Sequence, residues 1–175
     1  MTGETKEYNN IEISSFEDLQ LKDKLLRGIY ACGYEKPSSI QKKAILPIID
    51  KNDVIAQAQS GTGKTATFSI GMLQNIDESV NETQALVLSH TRELSLQILE
   101  VVKNLSSYMG ISYNLSVGGT TIRDNIDELL KNPQVVIGTP GRVLDMINKK
   151  ALNTRQLKIL VIDEADEMLS KIFSN

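Results

Sequence analysis

The stretch Ala58 to Thr65, AQSGTGKT, sets glycines, a lysine and a threonine at the spacing of a phosphate cradle. Gly61 and Gly63 let backbone N–H groups approach anionic oxygens closely, and a helix starting near Lys64 presents its positive N-terminal end to the same charge. The Lys64 ammonium can reach terminal phosphates, and the Thr65 hydroxyl can ligate magnesium. Ala58 stands where the strict P-loop pattern has glycine, so the match is incomplete. A glycine turn that merely joins a strand to a helix is the plainer reading. Lysine and threonine opening the helix favour nucleotide binding over it.

Further along, ILVIDEAD offers the acidic half of such a site. Asp163 closes an apolar run and can hold the metal directly or through water, while Glu164 beside it can polarise an attacking water. Acidic residues after a strand also cap helices, a job open to Asp166. Three more segments suit a phosphodiester backbone: HTREL (90–94), Gly118-Gly119 and TPGR (139–142). Their glycines expose backbone N–H groups, the Thr91 and Thr139 hydroxyls can donate, and Arg92 and Arg142 carry charge. Taken singly, each is more simply a loop glycine or a helix cap.

These groups need a scaffold that gathers them. Short apolar runs rich in β-branched residues occur at Asp53–Ala56, Ala85–Ser89, Tyr113–Val117, Val135–Thr139 and Ile159–Asp163. They mostly lack polar alternation, as expected for strands buried on both faces. Helical patterns lie between them at Lys64–Asn75, Glu93–Met109, Ile122–Lys131 and Arg142–Asn148, and two more precede them, one ending at Gly33 and one over Ile40–Ile49. Strict alternation implies parallel strands joined by crossovers, hence a three-layer α/β sandwich. Ligands of such sheets bind beyond the carboxyl ends of the strands, where every polar motif from Gln57 onward falls. Residues 1–15 read as a flexible lead-in and 16–175 as one domain.

Composition narrows the classes. Among 175 residues, 41% are apolar and 23% charged, and no apolar run approaches a bilayer's thickness, which excludes a membrane function. The polar start MTGETKEYNN, without an apolar core or a small-residue cleavage site, does not read as a secretory signal. The single cysteine, Cys32, cannot form an internal disulfide or a zinc cluster and reads as a buried small hydrophobe, which fits a cytoplasmic or nuclear setting. A net charge of −3 argues against a broad basic face, so nucleic acid would have to be gripped by local groups.

With GYEKPSSIQ, AQSGTGKT, TREL, GG, TPGR and DEAD in this order, the chain resembles the first RecA-like domain of DEAD-box RNA helicases from Phe16 to Leu169. The resemblance implies a RecA-like P-loop NTPase sandwich around a mostly parallel sheet, using ATP and Mg2+. Alanine is common in the family at the position of Ala58, so that departure supports the match. The implied nucleotide site runs through Ala58, Gln59, Ser60, Gly61, Thr62, Gly63, Lys64 and Thr65, with Lys64, Asp163 and Glu164 catalytic and Thr65 and Asp163 on the metal. GYEKPSSIQ resembles the family's adenine-reading motif: Gln41 would pair with the N6 and N7 edge and Phe16 would stack on the base, leaving Tyr34 structural. Without the resemblance, Gln41 is an ordinary helix-surface glutamine.

The implied RNA contacts are Thr91, Arg92, Gly118, Gly119, Thr139, Pro140, Gly141 and Arg142, which read backbone with little sequence preference. Asp166 is the implied coupling residue to a second RecA-like domain. That domain, with its arginine finger, and the family's Ser-Ala-Thr motif are not in these residues, so the resemblance implies a fragment that turns ATP over very slowly alone. Joined to it, RNA-stimulated ATP hydrolysis would drive local duplex unwinding. The alternative is an ATP-dependent RNA clamp whose hydrolysis is suppressed by partners. A P-loop kinase or transport ATPase would leave GYEKPSSIQ and TPGR without a job. Stretches such as LLRGIYACGYEKPSSIQ are most similar to translation-initiation and exon-junction members, implying initiation-factor or exon-junction-type protein partners.

Two positions depart from the family's Pro-Thr-Arg-Glu-Leu-Ala. His90 replaces the proline and Ser95 the alanine. Losing proline frees the backbone before Thr91. His90, the only histidine, reads as a tolerated loop residue.

Overall fold

Helix and strand alternate from Lys64 onward in the computed structural model, which describes residues 12–59 and 61–173. Two helices come first, α1 (Asp23–Ala31) and α2 (Ser39–Ile49). Then follow α3 (Lys64–Asn75), β1 (Ala85–Leu88), α4 (Arg92–Leu105), β2 (Tyr113–Ser116), α5 (Ile122–Leu129), β3 (Val135–Gly138), α6 (Pro140–Asn148), β4 (Ile159–Ile162) and α7 (Ala165–Phe173). The strands form one sheet in the order β2-β3-β1-β4, and every pairing is parallel. Leu88 is level with Gly138 and Ile162, and Gly138 with Ser116, so the carboxyl ends of all the strands share one edge.

Side-chain alternation along the strands feeds two layers. Ala85 and Val87 of β1 and Val135 and Ile137 of β3 pack with Leu25, Ile29, Ile70 and Ile98 from α1, α3 and α4. Leu86 and Val136 point the other way, onto Leu129, Val143 and Met146 from α5 and α6. Each such Val, Leu, Ile or Met side chain, taken fully from water, stabilises the fold by about 1.5–3 kcal/mol. Between α1 and α4 the helices touch backbone to backbone: a Cβ on Gly28 would lie 1.8 Å from the Leu105 carbonyl oxygen.

Several expectations are corrected. Asp53–Ala56 is not a strand: residues 53–59 carry no regular structure, and Ile55 is fully exposed. An apolar run becomes a strand only when another strand offers its edge, and the outer edge of β4 is not paired with this segment. Burial on both faces holds for β3 and most of β1, but β4 is an edge strand whose Leu160 and Ile162 remain half exposed. Cys32 is exposed at the end of α1. Packing also reaches back before Phe16, because Ile13 is buried and Asp18 Oδ2 accepts from the Ser14 and Ser15 amides at 2.9 and 2.8 Å. The rest of the lead-in, residues 1–11, lies outside the described residues.

Helix starts follow their caps. Thr91 Oγ1 accepts from the Leu94 amide at 3.1 Å, so α4 begins at Arg92. Pro140, with no N–H to lose, opens α6 two residues before the apolar periodicity indicates.

Candidate nucleotide and nucleic-acid site

The glycine turn is braced from α2. Gly61 and Gly63 take left-handed backbone angles, φ of 81° and 90°, and Gly63 caps α3 so that Lys64 and Thr65 open that helix. Ser38 Oγ donates to the Thr62 carbonyl at 3.0 Å, and Thr62 Oγ1 donates to the Gln59 carbonyl at 2.7 Å. Gln41 is buried, its Oε1 accepting from the Ser38 amide at 2.8 Å. Its Nε2 faces the turn: a Cβ on Gly63 would come within 2.8 Å of it. Gln41 is therefore no surface residue. The signal was in Ser-x-x-Gln, a capping-box pattern in which the glutamine returns to the cap amide. Ser60 lies outside the described residues.

Phe16 does not present a face for a base. It is fully buried, edge-on to Tyr30 and Tyr34 with ring centroids 6.3 and 6.5 Å away, which corrects the stacking expectation. An aromatic ring in a packed core gains more from burial than one held open for a ligand.

The acidic pair sits just past β4. The Asp163 amide donates to the Leu88 carbonyl at 2.9 Å, continuing the sheet register one step, and its Oδ1 accepts from the Glu164 amide at 3.0 Å. Burial pushes the Asp163 carboxyl above its ordinary pKa; the Glu164 amide and the Lys64 and His90 charges pull it back, and the Glu164 charge adds to the rise. Lys64, which opens α3 after the glycine turn, is thus among the charges that act on Asp163. Glu164 adopts a left-handed φ of 51°. For a residue with a Cβ this costs about 1–2 kcal/mol, the kind of strain that collects at functional sites. Beside it, His90 Nδ1 lies 3.0 Å from Glu164 Oε2. Sequence reasoning gave His90 no role, and only its titratable ring beside a proposed ligand path could have drawn notice. Asp166 is exposed in the first turn of α7.

Among the described residues no group of three or more His, Cys, Asp or Glu side chains could enclose a metal. The donors present, the Thr65 hydroxyl and the desolvated Asp163 carboxylate, are hard oxygens. They fit Mg2+, which keeps waters and substrate phosphates as its other ligands instead of a protein cage.

Along the same edge the segments at 90–94, 118–120 and 139–142 meet. Arg92 is exposed, its Nη1 3.4 Å from the Gly118 carbonyl. Gly118 and Gly141 have open space where a Cβ would stand. Thr139 ends β3 and precedes Pro140. Arg142 has a different job from the one expected. Its Nη2 donates to the Thr120 carbonyl at 2.8 Å and its Nη1 to the Thr120 hydroxyl at 2.9 Å, with Asn125 Oδ1 at 3.4 Å. Half-buried and committed to these acceptors, it braces the 118–120 turn and is not a free charge for phosphate.

The sequence profile described as DEAD/DEAH box helicase matches residues 38–175, from the cap of α2 through the acidic pair. The chain belongs to this family. The DEAD-box domain is 56% identical over 162 residues to the ATP-dependent RNA helicase eIF4A of Chaetomium globosum, covering 93% of this chain and 41% of that protein. It is 54% identical over 173 residues to the eIF4A of Mycosarcoma maydis, covering 99% and 42%. It thus spans less than half the length of the curated relatives it matches. Among solved structures, a DEAD box protein from the hyperthermophile Methanococcus jannaschii superposes with a TM-score of 0.88 at 38% identity, covering 93% of this chain and 45% of that one. Saccharomyces cerevisiae Dbp5 bound to RNA and ADP BeF3 gives 0.81 at 43% identity, covering 89% and 39%. The likeness establishes the DEAD-box RecA-like fold for the sheet and helices described above. Among the described residues no helix is long and apolar enough to cross a membrane.

Proposed function

We propose that this chain is the nucleotide-binding half of an ATP-dependent RNA helicase, acting in the cytoplasm or nucleus with a second RecA-like domain. The observation that carries the reading is the shared sheet edge. Leu88, Ser116, Gly138 and Ile162 end in register, and the groups that follow them face one side, with Lys64 close enough to act on Asp163.

On this reading the amides of residues 58–65 and the α3 N-terminus cradle the triphosphate, and Lys64 neutralises its terminal oxygens. Thr65 and Asp163 would hold Mg2+, which when bound supplies charge neutralisation across phosphate oxygens. Glu164 orients and polarises the attacking water. Thr91, Arg92 and the 118–119 and 139–141 backbone grip the sugar-phosphate strand, reading shape more than sequence. Ser38 Oγ ties α2 to the turn through the Thr62 carbonyl and Gln41 Nε2 faces Gly63, so adenine docking beside Gln41 would be felt by the phosphates. The similarity to eIF4A supports initiation-factor-type protein partners.

ATP hydrolysis measured at the full length of the relatives tests this. RNA should stimulate it, GTP should not replace ATP, and Lys64→Ala should lower it about 100-fold or more. Hydrolysis indifferent to RNA would overturn the reading.

A further inference from the structure

We infer that His90 is a positioning residue for Glu164, a role that rests on Glu164 polarising the attacking water. Leu88 and Ile162 are partners in the β1–β4 register, so the residues just beyond them come out side by side. His90 Nδ1 accordingly sits 3.0 Å from Glu164 Oε2, and the His90 side chain is only 16% exposed. Nδ1 is buried and, at this distance from the carboxylate, still makes no hydrogen bond. A buried donor left in that state costs roughly 1–3 kcal/mol, and a modest turn of the ring or the carboxylate recovers it. Loose alignment that tightens when substrate arrives is common for catalytic hydrogen bonds in empty sites.

The loop that carries His90 is held on both sides without proline. Ser89 and Ser95, both buried, share a 2.6 Å hydrogen bond. Ser95 Oγ also reaches the Thr91 carbonyl at 3.1 Å, and the Ser89 amide donates to the Gly138 carbonyl at 3.0 Å. The two departures from the family pattern thus form one arrangement: Ser95 clamps the loop and His90 uses the fixed position. Glu164 for its part sits on strained backbone, and among the described residues His90 is the side chain within ion-pair distance of its carboxylate. A carboxylate that must aim a water needs a third group to fix its rotamer, and displacement by about 1 Å can cost on the order of 100-fold in rate.

Two measurements test the inference. His90 is the only histidine, so its ring nitrogens give the only imidazole signals in 15N NMR of the 175-residue chain. They should report a proton on Nδ1 and move in Glu164→Ala; signals that stay in place overturn the contact. In ATPase assays at the relatives' full length with saturating RNA, His90→Ala should lower kcat about tenfold with KM for ATP within about twofold. His90→Asn, whose amide nitrogen approximates the Nδ1 position, should restore most of the loss. Wild-type kcat in His90→Ala, or a loss that Asn shares in full, overturns the role. If the wild-type protein hydrolyses no ATP, the function reading fails and takes this role with it, while the NMR contact remains measurable on its own.

Discussion

Arg142 holds Thr120 twice, from Nη2 to the carbonyl at 2.8 Å and from Nη1 to the hydroxyl at 2.9 Å. This contact fixes the glycine turn that precedes α5 to the first turn of α6, across two crossovers of the sheet. An arginine engaged in this way braces the edge, its donors committed to neutral acceptors while its charge remains.

The two arginines of that edge should therefore separate in a salt titration. On the proposed function Arg92→Ala removes a phosphate contact, so the slope of log affinity for single-stranded RNA against log salt should fall by about 0.7. Arg142→Ala should weaken binding with a smaller change of slope than Arg92→Ala, and should destabilise the fold by about 1.5–3 kcal/mol in urea. Arg142→Lys should not rescue it, since an ammonium cannot donate in two directions from a planar fork.

Gly63→Ala should be costly where Gly141→Ala is not. Gly63 has φ of 90°, and its added Cβ would press on Gln41 Nε2 at 2.8 Å, whereas Gly141 meets nothing within 4 Å. Left-handed strain alone amounts to about 1–2 kcal/mol. Thermal melting should show this loss for Gly63→Ala and close to none for Gly141→Ala. Binding of a fluorescent ATP analogue should fall for Gly63→Ala.

Acid should loosen the domain partly through Glu78. Its Oε2 accepts from the Gly110 amide at 2.9 Å and from Lys24 Nζ at 3.0 Å, tying the loop before β1 to α1 and to the end of the α4 crossover. The Gly110 amide, then Lys24, hold this carboxyl below its ordinary pKa. A depressed pKa in the folded state gives stability that is present above the unfolded glutamate value of about 4.3 and is lost as pH falls through the folded value. In urea unfolding across pH, Glu78→Gln should be less stable than wild type at neutral pH. The gap should close once the wild-type carboxyl is protonated.

Much of the scaffold was legible from spacing. The Lys64–Asn75 helix and the β-branched cores of β1, β3 and β4 follow from local pattern, and their alternation dictates parallel pairing. What escaped depends on partners distant in sequence. Asp53–Ala56 has a strand's composition but pairs with no strand of the sheet. The stacking expectation for Phe16 comes from the family resemblance, and its edge-on contacts with Tyr30 and Tyr34 depend on the packing of α1 and the turn after it. Arg142 looked like a free cation because Thr120 and Asn125 lie on a different crossover. His90 meets Glu164 only through the register of β1 with β4. The burial of Gln41 was within reach, since Ser38 and Gln41 stand at capping-box spacing.

The bare backbone of residues 53–59 also governs how tightly this domain can hold a triphosphate. Its amides are not protected by a ladder, so they should exchange rapidly with deuterated solvent while the site is empty. Settling them around a ligand draws on the binding free energy, about 1–2 kcal/mol for each residue that becomes fixed. Nucleotide affinity is thereby tied to whatever organises this stretch beforehand, and its deuterium uptake becomes a direct gauge of occupancy.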